Sequence, residues 1–201
     1  MAGSINDFKS TFKTDLARPN RFDVQINIPI VLLPYISTAR NLVYRCENAD
    51  LPGRNFGTIE RKFGSAPTQK VPYQTHYNEM NLTFIVSDDM SEKILFESWM
   101  EVINPSSTYN FQYKANYVTD IIISQYDVTN TLTYQVQLID AFPININQLD
   151  LDWSADGHHK LAVTLAYTNW TAPMVSNIVS NLETQGLSGL ASSLGSPNTP
   201  F

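Results

Sequence analysis

From Phe22 the chain alternates apolar and polar positions: Phe22, Val24, Ile26, Ile28 and Ile30 stand against Asp23, Gln25, Asn27 and Pro29. Successive side chains of a strand point to opposite faces, so a period of two predicts a strand with one face buried. The same pattern returns at Met80, Leu82, Phe84 and Val86 against Asn81, Thr83 and Ile85. It appears again at Leu132, Tyr134, Val136 and Leu138 against Thr133, Gln135 and Gln137, and at Leu161, Val163, Leu165 and Tyr167 against Ala162, Thr164, Ala166 and Thr168. Weaker strands are expected over residues 42–47, 59–63, 69–74 and 118–126. One segment changes period. Ile94, Leu95, Phe96, Trp99, Met100, Val102 and Ile103 recur at helical spacing behind Asp89 and Glu92, a pair like a capping box, and Asn104-Pro105 stops the run. The reading is mainly β: two packed antiparallel sheets, a β-sandwich or barrel, with one flanking helix whose Trp99 lies in the core.

Three segments stand outside that pattern. Residues 1–21 are polar with isolated Phe8 and Phe12, whose spacing of four puts both rings on one side of a short helix. We read them as an arm that needs another surface. Residues 52–72 hold glycines, prolines and Arg54, Arg61, Lys62 and Lys70, and read as a long loop or irregular hairpin for contacting a neighbour. After Thr171 a helix is expected from Pro173 to Gly186, followed by a flexible Gly/Ser/Ala-rich tail. The organisation is thus an arm (1–21), a β domain (22–170) and a C-terminal appendage (171–201).

Composition narrows the function. Of 201 residues 43% are apolar, enough for a core, and the net charge is −6. An acidic chain is poorly suited to gripping a phosphate backbone, which needs clustered Lys and Arg. Cys46 is the only cysteine, so no intrachain disulfide forms, and it is expected as a small buried hydrophobe. No apolar run approaches the roughly 18 residues that cross a bilayer, and no leader-like apolar stretch opens the chain, so a cytosol-like compartment and no membrane are expected. Candidate chemistry is thin. His158 and His159 are adjacent and lack a second ligand pair, Asp150 and Asp152 flank Leu151 in a strand-like alternation, and Asp89 serves as a cap. Neither an enzyme, a metal nor a cofactor is expected.

The polar strand faces are more telling. Gln25 and Asn27, Asn81 and Thr83, and Thr133, Gln135 and Gln137 are amides and hydroxyls with almost no charge. A wet, nearly neutral face suits the wall of a channel, because it holds water without trapping a charged cargo. Long strands also leave edges with unpaired N–H and C=O groups, a hazard that pairing between identical subunits in a closed ring removes.

Several ordered segments carry a resemblance: Ala17-Arg18-Pro19-Asn20 with Phe22, Cys46 before Leu51-Pro52, the helix with Trp99, Phe142-Pro143, Leu149-Asp150-Leu151-Asp152-Trp153, and Val163 through Asn169-Trp170. Together they resemble the tail tube proteins of contractile-tailed bacteriophages of the T-even type. The resemblance implies six-subunit rings whose inner wall is a continuous β-barrel, stacked inside a sheath, with the genome passing through. It implies as partners the chain itself, the tail sheath protein, baseplate tube proteins, a tape measure protein in the lumen, and DNA that passes without specific binding. The place would be the virion tail, after assembly in the host cytoplasm. Phe8, Phe12, Arg18, Asn20, Arg54, Arg61 and Lys62 are the candidates for subunit interfaces. Extra sequence near residues 34–41 and after Trp170 leaves open a baseplate initiator or terminator ring of the same fold. A monomeric β-sandwich binding module is the alternative from another class.

Overall fold

The computed structural model describes residues 16–154 and 156–173, together with Ile5, Phe8 and Ser10. Phe12 and the C-terminal appendage beyond Pro173 lie outside the described residues. The element order is β1 (Phe22–Ile26), a 3-10 turn (Ile30–Tyr35), α1 (Ile36–Arg45), β2 (Cys46–Ala49), β3 (Asn55–Arg61), β4 (Gln69–His76), β5 (Met80–Ile85) and α2 (Ser91–Ile103). A second 3-10 turn (Lys114–Asn116), β6 (Thr119–Tyr126), β7 (Leu132–Ile146), β8 (Lys160–Ala166) and β9 (Asn169–Thr171) complete it.

Seven strands form an antiparallel sheet in the order β1-β6-β7-β8-β5-β2, with β9 also on β7, while β3 and β4 pair only with each other. The 15-residue β7 belongs to two layers. Its first part pairs with β6 and β9, and its last part with β8. Asp140 at φ 57° and a register shift between Pro143 and Asn145 interrupt the strand where it changes layer. Layer I is therefore β1, β6, β7 and β9, and layer II is β7, β8, β5 and β2.

Alternation puts one side of each layer into a common core. In layer I Val24 lies opposite Ile123 and Ile123 opposite Val136. In layer II Leu82 lies opposite Val163 and Phe84 opposite Leu161. These side chains, with Leu42 of α1 and Leu95, Phe96 and Trp99 of α2, are buried in one cluster. The Phe96 ring stands 5.5 Å from Phe84 and stacks on Trp99 at 6.3 Å. The indole N–H of Trp99 donates to the Tyr117 carbonyl at 2.8 Å, which satisfies its one polar group inside the core.

Three expectations change. The first strand stops at Ile26, because Pro29 opens the 3-10 turn and its carbonyl accepts from the Leu32 N–H at 2.9 Å; Ile30 is left 82% exposed. Residues 42–47 are the end of α1 and the start of β2, since Ala39 and Leu42 bury at helical spacing. The fold thus has a second helix beside the one expected. The start of α2 is also built differently. Met90 takes φ 53°, Asp89 accepts from the Ser91 N–H at 3.3 Å, and Glu92 does not reach back to Asp89. The buried Glu92 carboxylate instead accepts from the Ser87 N–H at 2.9 Å, the Ser87 hydroxyl at 2.8 Å and the Arg45 guanidinium at the end of α1.

Candidate assembly surfaces

The seven polar candidates fall on two faces. Gln25 and Gln137 both lie opposite Ile122 of β6, and Gln135 lies opposite Ser124. With Thr133, and with Asn27 just past β1, they occupy the side of layer I that points away from the core. Gln137 donates to Asp120 at 3.0 Å, and the Thr133 hydroxyl to the Gln125 carbonyl at 3.0 Å. Asp23 on this face accepts from the Tyr126 hydroxyl at 2.9 Å, and that bond to a carboxylate pushes the tyrosine's pKa up. Asn81 and Thr83 lie on the outer side of layer II, opposite Thr164 and Ala162. Asn81 accepts from the Thr164 hydroxyl at 3.0 Å and donates to Asp50 at 3.3 Å. Since both layers turn their other sides to the shared core, these two groups face in different directions.

The layers also differ at their edges. In layer I, α1 packs along β1, the edge strand. Layer II ends in β2 on one side and in the last residues of β7 on the other, each hydrogen-bonded to only one neighbouring strand.

The basic segment 52–72 contributes most of a protruding ribbon. Asn55 pairs with His76 and Arg61 with Gln69, and of the strand residues only Gly57 and Val71 are even partly buried. A Cβ on Gly57 would stand 3.1 Å from the Tyr73 ring, so glycine lets that ring lie across the ribbon. Phe56, Ile59, Phe63 and Tyr73 are exposed, Phe63 at 70%. Beyond isolated contacts, β3 and β4 pack only on each other.

Arg54, Arg61 and Lys62 do not act together. Arg61 and Lys62 are exposed where β3 enters the connection to β4. Arg54 sits at the ribbon's base, its guanidinium 5.1 Å from the Trp170 ring centroid and 5.7 Å from that of Tyr77. The Trp170 indole N–H donates to the Gly53 carbonyl at 3.3 Å. This clamp joins residues more than 100 positions apart, and no local pattern announces it. Of the other interface candidates, Phe8 is helical and exposed, Asn20 is in an exposed turn, and Arg18 lines a groove of about 470 Å³ beside Tyr126 and Val128.

The remaining reactive groups have structural surroundings. Burial pushes the Cys46 thiol up to about 12, and the thiol donates weakly to the Asn48 carbonyl at 3.4 Å. Asp152 is held below the usual carboxylate range by the Ser154 N–H and hydroxyl, each at 2.9 Å. Among the described residues no three His, Cys, Asp or Glu gather closely enough to hold a metal ion, and no helix is long and apolar enough to cross a membrane. Segment 149–153, expected as strand-like, is outside the strands and leaves Leu151 and Trp153 exposed.

A family model described as phage tail tube protein matches residues 17–173. The tail tube proteins of Enterobacteria phages T4 and T6 are each 23% identical over 170 residues, covering 83% of this chain and 98% of theirs. Among solved structures, one from the baseplate of the anti-feeding prophage superposes with a TM-score of 0.58 at 14% identity, covering 79% of this chain and 96% of that one. A chain from the sheath/tube terminator of an extracellular contractile injection system gives 0.57 at 17% identity, covering 80% and 98%. One from the sheath-tube complex of such a system gives 0.54 at 16%, covering 85% and 98%. These structures share the fold.

Proposed function

This chain belongs to the phage tail tube protein family, and on that premise we propose how it builds a tube: six copies close into a ring, rings stack, and the enclosed channel carries the genome. It is a structural subunit of the virion tail, assembled in the host cell. The observation that carries the assembly model is the β3–β4 ribbon. A two-stranded hairpin alone is marginally stable in water, and this one exposes four large apolar side chains with no layer beneath it. A second copy supplies the missing layer.

The lumen takes one polar face, and we assign it to layer II. Its two edges are open for strand pairing with the copies on either side, whereas α1 lies along the β1 edge of layer I. The middle of its outer face carries Asn81, Thr83, Ala162 and Thr164, small and uncharged, and the charges at its margins are partnered: Lys160 donates to Glu47 at 2.6 Å and Asp50 accepts from Asn81 at 3.3 Å. Gln25, Asn27, Thr133, Gln135 and Gln137 then face outward, toward the sheath. The arm with Phe8 and Phe12, Arg18 and Asn20 contacts neighbouring copies. Baseplate tube proteins start the stack, a tape measure protein occupies the lumen during assembly, and DNA later passes without specific binding. No catalytic step and no cofactor belong to this model.

A second reading keeps the fold and makes the chain a single ring at one end of the tube. It is favoured by superposition on baseplate and terminator structures at TM-scores of 0.58 and 0.57. Electron microscopy of the purified protein, alone and with baseplates, separates the two. Long tubes support the bulk subunit and isolated rings the end ring. Monomers at high concentration, with no ring in any tail particle, overturn both.

A further inference from the structure

One end of layer I gathers both ends of the described chain. The turn between β6 and β7 lies there, and the Tyr126 N–H donates to the Arg21 carbonyl at 2.9 Å, so β1 starts at the same end. On the other side of β7, β9 runs antiparallel to it, with Asn169 opposite Ile139 and Thr171 opposite Gln137. The direction of β9 is therefore toward Thr133 and the turn. The described chain stops just beyond, at Pro173, which is exposed and opens a helix.

The groove of about 470 Å³ lies at this end. Leu16, Ala17, Tyr126 and Val128 give it apolar walls, and Thr133 borders it on β7. Leu16 is 62% exposed and Val128 38%. Its charged groups are Arg18, Arg21 and Asp127. Asp127 is satisfied within the turn, accepting from the Thr129 N–H and hydroxyl, each at 2.7 Å, and from the Thr131 N–H at 2.9 Å. Asp23, behind the groove, accepts from the Tyr126 hydroxyl. Arg21 donates to Asn130 at 2.9 Å through one nitrogen of a five-donor guanidinium. The groove is an apolar trough with a cationic margin beside β1.

The residues after Pro173 fit it in pattern, charge and length. At helical spacing Val175, Ile178, Val179 and Leu182 fall on one side, and Asn177, Ser180 and Thr184 on the other. Glu183 is the only charged side chain from 174 to 201. From β9 across β7 and β6 to β1 is three strand spacings, about 14 Å. A helix rises about 15 Å from Pro173 to Glu183. A helix that starts at β9 and crosses the strand ends thus brings Ile178 over the β6–β7 turn and Glu183 to Arg21.

We propose that this groove is the seat of the chain's own segment 174–183, which crosses the end of layer I as a helix and pins the root of the N-terminal arm, Leu16 to Arg18, against the β6–β7 turn. The stripe covers apolar surface that layer I leaves in water. Glu183 and the carbonyl end of the helix both face the Arg21 guanidinium, the favourable sign for a helix C-terminus. The two appendages of the subunit are thereby coupled: the C-terminal one sets where the arm leaves the β domain. The contact forms within one subunit and does not depend on the ring reading.

The test uses the full chain, dilute and unassembled, with Cys46 replaced by Ala so that introduced thiols are the only ones. Oxidation of V128C/I178C closes a disulfide within one chain, seen by mass spectrometry as a monomer with both thiols lost. V128C/S180C, whose second thiol points away, closes about tenfold more slowly, since a disulfide needs its Cα atoms within about 7 Å. With Cys46 retained, I178D/L182D lifts the helix from the groove, and trypsin cuts after Lys13 in the arm about tenfold faster than in wild type, whereas N177D/S180D stays within about twofold. A V128C/I178C chain that closes no faster than V128C/S180C overturns the proposal. Disulfide-linked dimers in its place assign the groove to a neighbouring copy, and closure of V128C/F12C in its place assigns it to the arm; either overturns it. Cleavage after Lys13 that ignores I178D/L182D overturns it too.

Discussion

Replacing Arg54 with Ala tests whether the clamp at the ribbon's base sets its orientation. The guanidinium lies 5.1 Å from Trp170 and 5.7 Å from Tyr77. Two partly exposed cation–π contacts contribute about 0.5–1 kcal/mol each, roughly 1–2 kcal/mol together. The ribbon is not part of the buried cluster, so this loss falls on local detachment and not on global unfolding. A change of that size raises the detached population about 5- to 30-fold. Trypsin reads it directly, since Arg61, Lys62 and Lys70 lie within the ribbon segment. When opening is fast relative to cutting, cleavage tracks the open population. On unassembled subunits, mass spectrometry should show cuts after those three residues about tenfold faster in R54A, while the melting temperature moves by less than about 3 °C. Lys at this position keeps the charge but stacks poorly on aromatic faces, so R54K should fall between. Equal cleavage of R54A and wild type would show that the clamp does not hold the ribbon. A large drop in melting temperature would place Arg54 in the global fold.

Glu92→Ala should lower stability by about 3–5 kcal/mol, because it strands Arg45 and the Ser87 N–H; calorimetry should record a melting temperature lower by about 10 °C or more. Thr83→Lys should place a ring of cations in the lumen, giving tubes that release DNA slowly, with the delay shrinking at high salt, whereas Gln135→Lys should release DNA normally; the reverse result would move the lumen to layer I. Acid should weaken the fold in a defined window. Asp89 (Ser87 hydroxyl), Asp127 (Thr129 hydroxyl), Asp140 (Lys114), Asp152 (Ser154 N–H) and Glu101 (Ser106 hydroxyl) are all held below their ordinary values. Depressed carboxylates bind fewer protons folded than unfolded, so their contribution is present above the ordinary values of 3.8 and 4.5 and is lost as pH falls through the lower folded values. The melting temperature should therefore hold from pH 7 to about 5 and fall below about 4.

Alternation was enough to determine the strands at Met80, Leu132 and Leu161, and helical spacing the burial of Trp99, because these signals are local: one face of each element is apolar from end to end. Family membership was legible for a related reason, since its segments keep their order along the chain. Local signals misled where a turn residue cut a pattern short. Ile28 and Ile30 continue the period of β1, yet Pro29 between them lacks an N–H and opens a 3-10 turn. Which polar faces share a direction was beyond the sequence. Gln135 and Thr83 look alike in period and chemistry, and only β7, by changing partners near Asp140, places them on different layers. The same holds for Arg54 and Trp170, which meet across more than 100 residues. Period fixes which side of an element is buried. Direction, edges and distant pairings depend on how elements pack, and tertiary structure alone decides those.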